Sequence, residues 1–131
     1  MSTVPTRLKR VLIVEDNSDN RALVSKVLRR AGFDTVECDR AEGLAELLVA
    51  SCPDVVLMDI ELPGQSGYEA VQQVRSNAAT AAIPIIALTA YAMQDDRRRC
   101  LQVGFTDYLS KPLDIHMLVQ MVRDYAAGAA P

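Results

Sequence analysis

The sequence has no long apolar run. Charged residues interrupt its hydrophobic stretches every few positions, and none of these stretches approaches the roughly 18 to 20 residues that a membrane-spanning helix needs. The opening segment Met1–Arg10 also lacks the apolar centre of a secretory signal peptide. We therefore expect no membrane insertion and a cytoplasmic location.

Basic residues are not in excess, and cysteine and histidine are scarce. The net charge is −3 and the pI is about 5.1, whereas a nucleic-acid surface is usually basic, with a pI above about 9. We therefore expect no direct DNA binding. The cluster Arg97–Arg99 follows two aspartates and is predicted to be a solvated helix face. The cysteines, Cys38, Cys52 and Cys100, have no C-x-x-C spacing and are expected to be reduced core residues. His116, the only histidine, is expected to be an exposed helix residue rather than a phosphoryl carrier.

Five short aliphatic runs alternate with segments of helical periodicity. Strict alternation predicts an α/β fold, a doubly wound five-stranded parallel sheet with helices on both faces. Strands covered on both faces can be continuously apolar, as these are. The 131 residues suit one domain, which we place at 8–125 between short tails at 1–7 and 126–131. The predicted strands lie near 9–14, 34–38, 54–58, 84–88 and 105–109.

Cap residues mark several predicted helix ends. Gly32 and Gly104 follow the first and fourth helical segments, in the position that favours a left-handed cap. Asp39, with Glu42 three residues later, is predicted to open the second helix as a capping pair. The last helix is expected to contain Ile115 and to bury one apolar face.

Polar side chains follow four of the predicted strands. The carboxyl ends of parallel strands share one edge of the sheet, which is where ligands of open α/β folds bind. Clustered carboxylates repel one another unless a cation offsets them, and hard oxygen ligands favour Mg²⁺ or Mn²⁺ over zinc. The residues at this edge are Glu15, Asp16, Asp59, Thr89 and Lys111.

This set of side chains suits a phosphoryl acceptor. Asp59 is ionised at neutral pH, so it needs no base to act as a nucleophile. Lys111, the Thr89 hydroxyl and the metal can neutralise the incoming phosphoryl oxygens. The bond between Lys111 and Pro112 is a candidate cis peptide, which would turn the lysine back toward the sheet edge.

Each residue also has a purely structural interpretation. Asp59 could cap a turn, Glu15–Ser18 could start a helix, and Thr89 could fill a strand end. Lys111 is the hardest to explain in this way, because a lysine before proline after a buried strand has no packing use for its charge. The four features together favour the chemical interpretation.

Four segments of the sequence resemble the signatures of a response regulator receiver domain. The resemblance spans about residues 8–125, and in detail Ala90–Met93 and Ser110–Pro112 also resemble DivK-like single-domain regulators and the receivers of hybrid sensor kinases. The segments that carry it are Val11–Asn17, Leu57–Gly64, Ala87–Ala90 and Tyr108–Pro112.

The resemblance implies a flavodoxin-like (βα)5 sheet of strand order 2-1-3-4-5 and phosphorylation on Asp59. It implies Mg²⁺ held by Asp16, Asp59 and the backbone carbonyl of Glu61, with Glu15 bound through water. Thr89 and Tyr108 match the family's switch pair. The surface from the fourth helix through the fifth strand to the fifth helix would then change shape and bind a downstream protein.

Two finer predictions depend on that resemblance. Glu61 and Tyr91 border the path of attacking water, and neither is an amide suited to positioning it, so self-dephosphorylation should be slow; alternatively, Tyr91 is a surface aromatic facing a partner. The phosphohistidine donor, a histidine kinase or a histidine phosphotransfer protein, should dock on the first helix and the final loop. Leu23 would anchor this contact, unless it packs in the core. The predicted docking residues are Asp19, Asn20, Leu23, Lys26, Leu113 and Asp114.

Two other functions use related chemistry. A haloacid-dehalogenase-like phosphatase needs Asp-x-Asp after its first strand, but here Asp59-Ile60-Glu61 follows the third. A flavin or nucleotide binder needs a Gly- or Thr-rich phosphate loop after the first strand, where Glu15 and Asp16 would repel a phosphate. A substrate-turnover assay tests the first alternative, and the absorbance of the purified protein tests for flavin.

Overall fold

The computed structural model describes residues 8–61, 67–90 and 94–128. Strands and helices alternate along the chain as the sequence predicts. The strands are β1 (Arg10–Val14), β2 (Asp34–Cys38), β3 (Val55–Asp59), β4 (Ile85–Thr89) and β5 (Asp107–Ser110). The helices are α1 (Ser18–Arg30), α2 (Leu44–Ser51), α3 (Gly67–Ser76), α4 (Gln94–Val103) and α5 (Ile115–Ala126).

The five strands form one parallel sheet of order β2-β1-β3-β4-β5. This confirms the predicted fold class and strand order. The chain moves outward from β1 to β2 and then returns to pair β3 against the other side of β1, where Val14 lies opposite Met58. The order therefore reverses between β1 and β3, and the carboxyl ends of these strands flank the crevice in which such folds bind ligands.

Two apolar layers cover the two faces of the sheet. Every residue of β3 and β4 is buried, as are the last four residues of β1. Side chains alternate between the faces, so Leu12 and Val14 pack with α2, α3 and Phe105, whereas Val11 and Ile13 pack with α1 and α5. The central strands are thus held rigidly, and so are the polar residues at their ends. Among the residues that the structure describes, no helix is long and apolar enough to span a membrane.

The predicted capping pair of α2 is wrong. This helix begins at Leu44, and its N-cap is Gly43, which has a positive φ of 75° and lies four residues after the predicted cap Asp39. The α2 N-terminus has no side-chain cap, and Asp39 instead forms an exposed ion pair with its neighbour Arg40, with 3.0 Å between Oδ1 and Nε.

The cysteine prediction is correct for Cys100, correct in part for Cys38, which packs against the core, and wrong about the burial of Cys52. All three thiols are free, but only Cys100 is buried, while Cys38 is partly buried. Cys52 is exposed and has a φ of 49°, because it ends α2 in the left-handed conformation. The apolar neighbours of Cys52 in the sequence were therefore a poor guide to its burial, because a residue at a helix end can face solvent.

Both predicted glycine caps have the left-handed conformation, with φ of 100° at Gly32 and 127° at Gly104. At Gly104 a side chain would also be crowded, because a Cβ would lie 3.0 Å from Cγ of Arg75. The Arg75 guanidinium donates hydrogen bonds to the carbonyls of Gly104 and Ile83 and to Oγ1 of Thr106. It therefore joins α3 to the starts of β4 and β5, a role that the sequence did not suggest.

Candidate functional site

The structure brings the predicted site residues to one edge of the sheet. Asp59 and Thr89 are the last residues of β3 and β4, and Glu15 directly follows β1. The Glu15 N–H donates to the carbonyl of Cys38, which continues the β1–β2 ladder by one residue. Lys111 directly follows β5, and its N–H donates to the carbonyl of Thr89 at 2.7 Å. The Lys111–Pro112 peptide bond is cis, in agreement with the prediction.

Three carboxylates form a compact acidic cluster at this edge. One oxygen from each of Glu15, Asp16 and Asp59 lies within 4.8 Å of the others. Glu15 and Asp59 are buried, whereas Asp16 is exposed. Oε2 of Glu15 is buried and has no hydrogen-bond partner within the described parts of the chain. Since oxygen ligands of this kind suit a small divalent cation, the residues present fit Mg²⁺.

Lys111 supplies a fixed positive charge to the cluster. Its Nζ lies 2.8 Å from Oδ2 of Asp59 and 3.6 Å from Oε1 of Glu15. Burial would lower the pKa of Lys111, but the hydrogen bond and charge of Asp59, followed by the charge of Glu15, outweigh it and raise the pKa. The lysine is therefore cationic at neutral pH.

Asp59 is held as an ionised carboxylate. Burial alone would raise its pKa, but its interactions with Glu15, with Lys111 and with the backbone of Glu61 together lower the pKa below the usual value. The Glu61 N–H donates to Oδ1 of Asp59 at 2.8 Å. Because each oxygen accepts one hydrogen bond, the carboxylate has a defined orientation at the end of β3.

The pKa of Glu15 is shifted in the opposite direction from that of Asp59, its neighbour in the cluster. Burial, and then the interaction with Asp59, raise the pKa of Glu15 to about 7, although Asn20 and Lys111 act in the opposite direction. Asn20 Nδ2 donates to Oε1 of Glu15 at 3.1 Å. Around neutral pH the metal-free Glu15 carboxyl is therefore partly protonated, and a bound cation would displace that proton.

Thr89 and Tyr108 lie on the same face of the sheet. Tyr108 pairs with Ala87 in the β4–β5 register, and Thr89 is two residues beyond Ala87 on β4. Thr89 is buried, and Tyr108 is partly buried against the core layer formed with α2 and α3. The geometry places the predicted switch residues as near neighbours, which is what a coupled movement requires.

A groove borders the site between α1 and the loop that precedes α5. Its volume is about 390 Å³, and Glu15 and Lys111 are among the residues that line it. Leu23 is 55% exposed at this groove, so the alternative that it packs in the core is wrong. Ile115, the first residue of α5, is 36% exposed and lines the groove too.

The other predicted docking residues lie on α1 and in the segment that precedes α5, and of these Asn20 and Leu113 line the groove. Asp19, Asn20 and Lys26 are exposed, and Leu113 is a partly buried residue of the groove wall. Asp114 is exposed and caps α5 by accepting the N–H of Met117 at 3.1 Å. Asp114 therefore caps α5 whether or not a partner protein docks at the groove.

The predicted dephosphorylation gate is described in part. Glu61 is exposed, and its Oε1 accepts the N–H of Ala90 at 3.3 Å, which links the ends of β3 and β4. Tyr91 lies outside the described residues. His116 is exposed, as predicted.

The prediction for Arg97–Arg99 is incomplete. All three residues are exposed, but two of the guanidinium groups cover aromatic rings. Arg97 lies 5.3 Å from the centroid of the Tyr108 ring, and Arg99 lies 4.6 Å from that of Tyr68. Both distances are in the range of cation–π contacts, so this helix face is not simply solvated.

Comparison with known proteins identifies the family. The family model described as "Response regulator receiver domain" matches residues 11–123. The chain belongs to the receiver-domain family. It is therefore a receiver domain of the two-component and phosphorelay systems, and the site described above lies at the carboxyl edge of its receiver sheet.

Three relatives illustrate the range of this receiver domain's similarity. The polar-differentiation response regulator DivK of Brucella ovis is 34% identical over 121 residues, which are 92% of this chain and 98% of DivK. The receiver domain of a Pseudomonas aeruginosa PAO1 sensor histidine kinase, solved with a magnesium ion coordinated in the active site cleft, is 33% identical with a TM-score of 0.84, and the match covers 92% of this chain and 99% of that one.

The third relative was solved with a partner protein. It is the Saccharomyces cerevisiae co-crystal structure of a histidine phosphotransfer signaling protein with the receiver domain of its downstream response regulator. The match is 30% identical with a TM-score of 0.82 and covers 92% of this chain and 90% of that one.

Proposed function

We propose that this receiver domain accepts a phosphoryl group from a phosphohistidine onto Asp59 and signals by changing its surface. The observation that carries the proposal is the environment of Asp59. This buried, ionised carboxylate lies 2.8 Å from the Lys111 ammonium and within an acidic cluster that fits a divalent cation. The unit that performs this function is residues 8–125, and its location is the cytoplasm.

The transfer is a substitution at phosphorus. An oxygen of Asp59 forms the new P–O bond while the P–N bond of the phosphohistidine breaks, and the electron pair of that bond stays on the imidazole nitrogen. The carboxylate needs no base. Lys111 and the Thr89 hydroxyl stabilise the negative charge on the phosphoryl oxygens.

The site holds Mg²⁺ in this proposal, and Mn²⁺ is an alternative. Asp16, Asp59 and the backbone carbonyl of Glu61 would be direct ligands, with Glu15 binding through water. When bound, the cation neutralises phosphoryl charge and offsets the repulsion among the carboxylates. The buried Oε2 of Glu15, the close carboxylates and the magnesium in the Pseudomonas relative support this assignment.

The output is a conformational switch rather than turnover of a small substrate. The Thr89 hydroxyl moves toward the phosphoryl group, and the Tyr108 ring turns inward into the space that it leaves. The surface formed by α4, β5 and α5 then changes shape and binds a downstream protein. The shared sheet face of Thr89 and Tyr108 supports this coupling.

The donor is a histidine kinase or a histidine phosphotransfer protein that docks at the α1–α5 groove. Leu23 and Ile115 offer apolar anchor area beside the acceptor, and exposed polar residues on α1 surround them. The yeast relative, solved with a phosphotransfer protein, supports this class of partner.

We predict that exchanging Asp19, Asn20 and Lys26 for the residues of another receiver alters the choice of phosphohistidine donor. Because the acceptor chemistry remains, phosphorylation by acetyl phosphate should change little. Initial rates with both donor types measure the two effects, and equal losses with both would reject the docking surface. Asn20 also bonds Glu15, so a control with only Asp19 and Lys26 exchanged keeps the acidic cluster intact.

A second prediction concerns the lifetime of the phosphorylated protein. If the ring of Tyr91 restricts in-line access of water, Tyr91→Ala should shorten the lifetime several-fold, whereas Tyr91→Phe should leave it unchanged. The decay of the purified phosphoprotein measures both. An unchanged lifetime in Tyr91→Ala would reject the gate and favour the alternative that Tyr91 faces a partner.

The proposed function is tested by phosphotransfer profiling against the histidine kinases and phosphotransfer proteins of the source organism. We expect rapid labelling of the wild type by a preferred donor and no labelling of Asp59→Asn. Labelling of that variant at the wild-type rate would contradict the assignment of the acceptor.

A further inference from the structure

Three consecutive arginines on α4 have three different environments. Arg97 covers the ring of Tyr108 on β5, Arg99 covers the ring of Tyr68 on α3, and Arg98 is exposed between them. Tyr68 also makes an edge-to-face contact with Phe105, with 6.1 Å between ring centroids. Arg99 therefore contacts a ring that takes no part in the proposed switch, whereas Arg97 contacts the ring that the proposed function requires to move.

The backbone of Tyr108 is fixed by a hydrogen bond, whereas its ring is only partly covered by neighbouring residues. The Tyr108 N–H donates to Oδ1 of Asp107, and Oδ2 of Asp107 accepts the hydroxyl of Tyr125 on α5. The ring itself is only partly buried, and its exposed portion faces the Arg97 guanidinium. An inward turn of the ring would thus leave β5 in place and break the contact with Arg97.

We infer that Arg97 is a positioning residue that restrains the switch: its guanidinium holds the Tyr108 ring in the partly buried position and opposes the inward turn. This inference rests on the proposed function, because it assumes that phosphorylation and ring movement are coupled. The restraint lowers the population of the switched conformation in the unphosphorylated protein. A phosphoryl analogue that prefers the switched conformation must overcome it.

The expected effect is modest and measurable. An exposed cation–π contact changes an equilibrium by about two- to five-fold. Replacing Arg97 by glutamine should therefore tighten the apparent affinity for beryllofluoride, measured with saturating Mg²⁺, by about two- to five-fold.

The neighbouring arginines supply matched controls. Arg98→Gln removes the same charge from the same helix without removing a ring contact, and Arg99→Gln removes a ring contact that does not involve Tyr108. We expect both to bind beryllofluoride as the wild type does. Thermal unfolding of all four proteins provides a second measurement. Arg97→Gln and Arg99→Gln should lose similar small amounts of thermal stability. A general loss of packing therefore cannot explain a tighter affinity in Arg97→Gln alone.

A double substitution tests whether the effect passes through the ring. In a Tyr108→Leu background, Arg97→Gln should no longer change the affinity for beryllofluoride. The inference is overturned if Arg97→Gln binds beryllofluoride no more tightly than the two control variants, or if its effect persists in the Tyr108→Leu background. If the wild type itself fails to bind beryllofluoride, the proposed function is wrong, and the inference about Arg97 is wrong with it. If the wild type binds but Arg97→Gln binds no more tightly, only the inference about Arg97 is wrong.

Discussion

Lys111→Met is expected to reduce the rate of phosphorylation by acetyl phosphate by about 10²- to 10³-fold, the range found when one donor to a developing negative charge is removed. Methionine keeps the approximate length and apolar stem of lysine but removes the ammonium that lies 2.8 Å from Oδ2 of Asp59. The nucleophile remains, but the incoming phosphoryl oxygens lose a fixed positive charge. The initial rate at saturating Mg²⁺ is the measurement.

Lys9→Met is the matched control for this substitution. Lys9 is exposed and precedes β1, at the opposite edge of the sheet from the acceptor. The control variant should phosphorylate at the wild-type rate and unfold at the same urea concentration. A Lys111→Met rate within a few-fold of that control would show that the ammonium is not part of the transfer chemistry.

In the metal-free protein, the free energy of unfolding is expected to fall as pH rises from 5 to 8, by on the order of 2 kcal/mol from Glu15 alone. The folded protein raises the pKa of Glu15 from 4.5 to about 7. Between these two values the folded state binds a proton that the unfolded state has released. The resulting stability is fully present below pH 4.5 and is lost as pH passes through about 7.

The other groups of the cluster do not reproduce this trend. Asp59 has a lowered pKa and Lys111 a raised one, so both stay charged between pH 5 and 8. The contribution of Asp59 is present above its unfolded pKa and is lost only in acid. The decline between pH 5 and 8 is therefore a property of Glu15.

Glu15→Gln isolates the effect. Glutamine keeps the shape of the protonated carboxyl but does not titrate, so urea unfolding in the presence of a chelator should show a smaller decline in stability with pH. Adding Mg²⁺ to the wild type should restore more stability at pH 8 than at pH 5, because the cation competes with the proton. Identical pH profiles for Glu15→Gln and wild type would show that the buried carboxyl has an ordinary pKa.

The sheet and the position of the site were predictable because they depend on features close together in sequence. Each aliphatic run marks a buried strand, and the polar residue that ends it must emerge at the strand's carboxyl end. Asp59 and Thr89 are in fact the last strand residues rather than the first loop residues, a difference of one position that leaves their location at the edge unchanged.

The unequal burial of Glu15 and Asp16 was not predictable from their adjacency. Glu15 continues the β1–β2 hydrogen bonding and so points into the site, whereas Asp16 lies beyond it and is exposed. Both acids were expected to bind the same ion, but the burial of Glu15, which raises the pKa of this carboxyl to about 7, was not anticipated.

Contacts between distant elements were also missed. Charge counting described Arg97 correctly as exposed but could not reveal that β5 places the Tyr108 ring beneath it. Helical periodicity placed Ile115 in the last helix but could not reveal that the first turn of α5 borders the groove, where this side chain is exposed. Both features depend on how elements pack together rather than on the local pattern of residues.

The central claim is that the carboxylate of Asp59 is the phosphoryl acceptor of this receiver and becomes an acyl phosphate. Its most direct test is to incubate the protein with acetyl phosphate and Mg²⁺, reduce the acyl phosphate with borohydride, and locate the resulting homoserine by peptide mass spectrometry. The account predicts homoserine at position 59, dependent on Mg²⁺ and absent from an unphosphorylated control. Homoserine at position 16 or at another aspartate, with position 59 unmodified, would contradict it.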